Sequence, residues 1–227
     1  MTSLLALDAS SSACSVALWM DGHVIGRVEH APRGHTRRLM PMIDALLDEA
    51  GIARTSLDAI AYGHGPGSFT GIRIAAGVAQ GIAYGLGRPL LGVSTLQALA
   101  QGAWQRDGAS LVMPALDARL GELYVALYRV EQGQLETVVA DDVMAPEALA
   151  LPSCPPGAIT MVGSGVALLD RLSPEVREAV GATMEHRDPE ARDIARLAAM
   201  DFAAGLITSP RQALPIYLRD QVVSSKR

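Results

Sequence analysis

Short apolar runs alternate with longer stretches in which apolar residues return every three or four positions, so the chain reads as strands interleaved with helices. The first run ends at Asp8, and after a polar turn a second spans Val16 to Trp19, predicting a hairpin with an acidic residue at its bend. In "HTRRLMPMIDALLDEAG", Leu39, Ile43, Leu46, Leu47 and Ala50 share one face, predicting an amphipathic helix with Thr36 as N-cap and Gly51 as C-cap. Strand "AIAY" and the glycine-rich turn "GHGPGSFTG" come next.

The order then repeats. Residues 6–19, "ALDASSSACSVALW", align without a gap with residues 115–128, "ALDARLGELYVALY", and half of the fourteen positions are identical. Chance likeness of two apolar hairpins is the alternative, but the segments after each hairpin also correspond: in the second half these are a helix around "APEALAL", strand "AITMV", a glycine turn at Gly163–Gly165 and a helix in "VALLDRL". Two lobes are expected, residues 1–105 and 106–227, each a sheet covered by helices. The helix "STLQALAQGAWQR" and the turn at Asp107 and Gly108 connect them, "LPSCPPG" reads as a rigid surface turn, and "ARDIARLAAMDFAAG" reads as a helix with Ile194, Leu197, Ala198 and Phe202 inward.

The segment 71–86 has an unusual pattern. Sorted into i, i+4 rows, it places Arg73, Gly77, Gly81 and Gly85 in one row and Ile74, Val78, Ile82 and Leu86 in the next. Ala75, Ala79 and Ala83 form a third row, and Ala76, Gln80 and Tyr84 a fourth. Each interior glycine costs about 1 kcal/mol of helix stability relative to alanine, so something must offset roughly 3 kcal/mol. The aliphatic row is expected to cover the lobe's own sheet, leaving the glycine and alanine rows as a flat surface on which another backbone can lie. Burial of the whole helix within its own lobe is the competing reading.

Composition narrows the function classes. The chain of 227 residues is 49% hydrophobic and 19% charged, which suits a folded protein, and at 4% aromatic its core must be built from Ala, Leu, Val and Ile. A formal charge of -5 lacks the basic footprint of a solitary nucleic-acid binder, so contact with RNA is expected only beside a partner. Cys14 and Cys154 do not form a pair with metal-ligand spacing. The start "MTSLLALDAS" lacks a basic leader, and no long apolar stretch reads as a membrane span, so a cytoplasmic location is expected.

A duplicated lobe whose first strand closes on an aspartate resembles the plan of the actin, sugar-kinase and heat-shock ATPase superfamily (the ribonuclease H-like plan). More narrowly, "LDASSSACSVALW", "HTRRLMPMID", "YGHGPGSFTGIRIA", "GVSTLQALA", "DARLGELY" and "PIYLR", in that order, resemble the bacterial TsaB family, also called YeaZ, over nearly the whole chain. That resemblance implies a non-catalytic subunit in the synthesis of threonylcarbamoyladenosine in tRNA. It implies pairing with a TsaD-like catalytic relative, joined by a TsaE-like ATPase, and a homodimer when alone. No cofactor is then required by this chain itself, although ATP and magnesium are expected in the complex. Partner contact falls on Arg73, Ile74, Gly77, Val78, Gly81, Ile82 and Gly85.

The residues leave few candidates for chemistry. Asp8 is placed to orient a hydrated magnesium ion or to accept local backbone hydrogen bonds, and Ser10, Ser11 and Ser12 either donate to phosphate or fix the turn. An ATP-dependent phosphotransferase or hydrolase built on these groups is the rival function. Catalytic relatives hold metal with two histidines at i and i+4; here Leu39 stands four residues after His35, and no metal or catalytic residue is assigned. His35 is expected to be a partly exposed residue beside a helix start. Ser68 lies in neither a nucleophile elbow nor a P-loop, and a peptidase finds no nucleophile–base pair. Asp117, Arg119 and Glu122 crowd the second hairpin, where an internal Arg–carboxylate contact is the simpler reading than acid–base work. The basic cluster Arg33, His35, Arg37 and Arg38 is either a tRNA contact or a solvated helix start. Tyr217 and Arg219 match the family's closing motif without a role that the residues alone define.

Overall fold

The structure, a computed structural model, describes residues 2–30, 34–212 and 214–218. The predicted hairpin forms from β1 (Ser3–Asp8) and β2 (Ala13–Met20), with Asp8 opposite Ser15. A tight turn at Asp21 and Gly22, both at positive φ, then adds an antiparallel third strand, β3 (His23–His30). Helix α1 (His35–Ala50) leads to β4 (Ala59–Gly65), parallel to β1, and α2 (Phe69–Leu86) leads to β5 (Leu90–Ser94), parallel to β4.

Helix α3 (Thr95–Asp107) is the expected connector, capped by Ser94, whose Oγ accepts from the amides of Leu96 and Gln97, and closed by Gly108 at φ +72°. The second sheet consists of β6 (Leu111–Asp117), β7 (Leu123–Glu131), β8 (Gln134–Met144), β9 (Ile159–Val162) and, after α4 (Pro174–Ala179), β10 (Val180–Met184). The orders β3-β2-β1-β4-β5 and β10-β9-β6-β7-β8 are the same pairing scheme, three antiparallel strands followed by two parallel ones. The internal repeat is thus a repeat of topology, as the actin and sugar-kinase plan requires.

The second copy lacks the long helices of the first. "APEALAL" yields only a single 3-10 turn at Pro146–Ala148, because Pro146 and Pro152 bracket it too closely for an α-helix. "VALLDRL" lies in a 3-10 stretch, Ser164–Arg171, rather than an α-helix. Its Gly165 presses against Ala115 and Leu123, and Ser173 already caps the next helix by accepting from the Val176 amide at 3.3 Å. In α1 the expected N-cap is also displaced: Gly34 occupies that position, His35 opens the helix and Thr36 is an exposed residue within it. Gly51 closes α1 at φ +66°, as expected.

Helix α5 (Ala191–Ala203) crosses back to the first sheet, where Ile194, Ala195 and Ala198 pack on Leu4, Ala6, Ala17 and Ala61. Leu5, Leu7, Val16 and Ile60 point the other way, against α1 and α2. All of β1 is therefore buried, which is why it reads as a continuous apolar run rather than an alternating one. Helix α3 lies between the sheets, packing Leu96, Leu99 and Ala103 on Val112, Ala126 and Tyr128 of the second. The fully buried Asp193 ties α5 to α3 through Arg106 Nη1 at 3.0 Å and also holds Arg196 Nη1 at 2.9 Å. Among the described residues no helix is long and apolar enough to cross a membrane.

Candidate docking surface

The turn before α2 is built around its own neighbouring hairpin. A β-carbon on Gly67 would meet the Ser10 carbonyl at 2.6 Å, and one on Gly71 would overlap the carbonyl oxygen of Ala9. The Ser68 amide donates to the Ser10 carbonyl at 2.7 Å, and Ser68 Oγ caps the helix by accepting from the Gly71 amide at 3.3 Å. These glycines allow two backbones to meet. The amides of Ser68, Gly71 and Ile72, which a phosphate would need, are already engaged.

That seating rotates α2 differently from the expectation. The alanine row, Ala75, Ala79 and Ala83, is fully buried on the sheet, while Ile74, Val78, Ile82 and Leu86 are half-buried beside the same core. A methyl group permits the short helix–sheet distance that Gly71 has already imposed; larger side chains are displaced to the flank. The glycine row keeps its expected place: Gly77, Gly81 and Gly85 are exposed, and an added β-carbon at any of them meets nothing within 4 Å. Together with Val78, Ile82, Leu86 and Met40 of α1, they line an open groove of about 480 Å³, bordered by Arg54. No contact within the described chain accounts for three glycines on this face.

Both ends of the groove carry features absent from the helical pattern. At the start of α2, the Arg73 guanidinium lies 3.2 Å from the centroid of the exposed Phe69 ring and 4.9 Å from that of Tyr217. Tyr217 is brought there by a returning segment in which the Ile216 amide donates to the His64 carbonyl at 2.9 Å and the Leu214 carbonyl accepts from Tyr62 Oη at 3.4 Å. At the far end, Tyr84, Arg88, Pro89, Ile207 and Arg211 surround a second hollow of about 460 Å³. Met40, Phe69, Tyr84 and Arg211 were not foreseen, since only the tertiary approach of α1 and of the chain's end to α2 brings them together.

The hairpin candidates form a closed turn. Ser10 donates to Asp8 Oδ2 from both its amide and its hydroxyl, each at 2.9 Å, and Ser11 Oγ accepts from the Ala13 amide at 3.2 Å. Ser12 Oγ donates to Asp188 Oδ2 at 3.4 Å, so all three serines are engaged within the chain. Asp8 itself is fully buried, its Oδ1 has no hydrogen-bond partner among the described residues, and that oxygen fills the place a side chain on Gly63 would take, beside Ile194 of α5. Burial, reinforced by the Asp188 carboxylate and opposed by the Ser10 hydrogen bonds, pushes the Asp8 carboxyl up from 3.8 to about 7.

The remaining candidates do not assemble into a site. His35 is buried rather than partly exposed, its ring nitrogen 3.4 Å from the Ser12 carbonyl, because α1 begins directly against the first hairpin. Arg38 pairs with Glu29 at 3.3 Å and Arg37 is exposed, while Arg33 and Arg219 lie outside the described residues. Arg119 holds Asp117 at 3.2 Å across a tip whose residues Arg119, Leu120 and Gly121 all have positive φ, the internal contact expected there.

Comparison with known proteins agrees with this architecture. A family profile described as TsaD, tRNA N6-adenosine threonylcarbamoyltransferase, matches residues 28–222. The tRNA threonylcarbamoyladenosine biosynthesis protein TsaB of Escherichia coli (strain K12) is 40% identical, with 98% of this chain and 97% of that protein covered. The chain belongs to the TsaB family. The TsaB of Bacillus subtilis (strain 168) is 31% identical over 95% of this chain and 93% of its own length. Among solved structures, YeaZ from Pseudomonas aeruginosa matches this TsaB fold with a TM-score of 0.90 at 42% identity, covering 96% of this chain and 100% of that one.

Replacing Gly77, Gly81 and Gly85 of the TsaB chain with alanine should raise the melting temperature by about 2–4 °C per site, since each substitution removes about 1 kcal/mol of helix penalty and meets no neighbour; thermal denaturation of single and triple variants checks this. For Asp8, the folded state binds a proton more tightly than the unfolded one. Its contribution is full below about 3.8 and is lost as the pH rises to about 7. Asp8→Asn should therefore abolish a slope of up to about 1.4 kcal/mol per pH unit within that window, as read by urea unfolding across pH.

Proposed function

We propose that this chain is a non-catalytic subunit for threonylcarbamoyladenosine formation in tRNA, and that it docks through the exposed α2 groove onto a TsaD-like catalytic relative. The observation that carries the reading is the open glycine row, Gly77, Gly81 and Gly85, set in an apolar groove that nothing in the described chain covers. A backbone lying in it gains the close packing that offsets the glycine penalty, as small-residue helix faces do. Because the chain is itself matched by the TsaD profile over most of its length, a TsaD-like partner has the same kind of helix to offer. Without that partner, a second copy of the chain takes the place.

The remaining roles belong to the complex, in the cytoplasm. A TsaE-like ATPase joins the pair, ATP and magnesium serve there, and tRNA is reached through the assembly rather than by a protein with a net charge of -5 acting alone. A kinase-like use of the first hairpin is disfavoured by the enclosure of Asp8 beneath α5 and by the engagement of Ser10, Ser11 and Ser12 within their own turn.

Gly81→Arg places a long side chain in the groove, and its β-carbon has no described atom within 4 Å. Titration calorimetry with the TsaD-type protein of the same organism should show binding weakened at least about a hundredfold, equivalent to about 2.7 kcal/mol, with a melting temperature no lower than that of the wild type. The modification assay should lose activity in parallel. Unaltered affinity would sink the docking role.

A further inference from the structure

We infer that the α2 face is electrically one-sided, and that it selects a helix rimmed by carboxylates over a second copy of this chain. The inference rests on the docking reading above. The protein carries more acidic than basic residues, yet no Asp or Glu occurs between Asp58 and Asp107 or between Asp201 and Asp220. These two stretches supply α2, the hollow at its far end and the returning segment beside its start. The charges that they bring to the rim are Arg73 at one end of the groove and Arg88 and Arg211 at the other.

The ion pairs among the described residues do not include these three arginines. Arg73 stacks on Phe69 and donates to its carbonyl, Arg88 donates to the Thr55 carbonyl, and Arg211 lies over the Tyr84 ring. Each guanidinium is held in place with no carboxylate partner among the described residues. On the α1 side, by contrast, Arg54 is paired with Asp44. Two positive ends separated by about 20 Å, at a rise of about 1.5 Å per residue, frame an apolar middle.

A second copy brings the same three arginines to the ends of the groove. In a two-fold pair the Arg73 end meets either its own counterpart or the Arg88 and Arg211 end, and both arrangements oppose like charges. A partner helix with carboxylates near both its ends meets complementary charge instead. The two associations should then respond to salt in opposite directions, because screening removes attraction in one and repulsion in the other.

The test compares wild type, the triple variant Arg73→Gln/Arg88→Gln/Arg211→Gln, and Gly81→Leu, which blocks the groove without changing charge. Association with the TsaD-type protein is followed by stopped flow and self-association by sedimentation equilibrium, between about 0.05 and 0.5 M NaCl, with melting temperatures confirming that each variant folds. The association rate with the partner should fall about tenfold with salt and by a similar factor in the triple variant at low salt, while self-association tightens under both changes. A partner rate indifferent to salt and to the triple variant, with Gly81→Leu still inactive in binding, overturns the charge selection and leaves the docking reading standing. Wild-type binding by Gly81→Leu overturns both.

Discussion

The structure turns on one steric contact, the seating of the first turn of α2 on the first hairpin. Gly67 and Gly71 bring the helix start against the carbonyls of Ser10 and Ala9, at a distance no side chain would permit. Everything along α2 depends on that approach. Beyond Ile72, a helix so close to its sheet presents methyl groups to it, so Ala75, Ala79 and Ala83 face inward and the bulkier aliphatic row moves to the flank. The helical repeat then leaves Gly77, Gly81 and Gly85 facing outward. Because the same contact engages the amides of Ser68 and Gly71, an anion-binding reading and a docking reading of this segment compete for one geometry.

The first hairpin is closed around its own carboxylate. Its aspartate still ends the first strand, but α5 lies over it, Gly63 leaves room for its carboxylate, and a single serine supplies its hydrogen bonds. Burial of this kind favours the neutral acid and pushes the carboxyl up to about 7. In the second lobe the corresponding tip is fixed by Asp117 and Arg119, and the long helices shrink to 3-10 turns. Among the described residues only the first lobe keeps full-length helices beside the groove, and that asymmetry places the glycine row on one side of the molecule.

Much of the fold was legible in the chain because its signals are local. Half-identical hairpins announce the duplication, and Gly51 and Gly108 mark helix ends where left-handed backbone is required. The outward glycine row could be read from spacing alone. Which row faces inward could not, since this depends on how close Gly71 lets the helix come, and hydrophobicity alone favours the wrong row. Strand β3 was not foreseen because its half-exposed sequence, "HVIGRVEH", carries little apolar alternation. The second lobe has fewer α-helices than its pattern suggests, because apolar spacing in "VALLDRL" does not distinguish 3-10 from α winding. The aromatic and arginine rim was hidden for a different reason: Arg73 and Tyr217, or Tyr84 and Arg211, are far apart in sequence and meet only through the returning end of the chain.

Hydrogen–deuterium exchange of this protein, alone and with the TsaD-type protein bound, tests most directly whether the glycine row is a docking surface. Protection should gather in α2 from Ile74 to Leu86 and in the adjoining part of α1 around Met40, with the hairpin at residues 8–12 unchanged. Protection centred on that hairpin or on the space between the two sheets, with α2 exchanging as freely in the complex as alone, would contradict it.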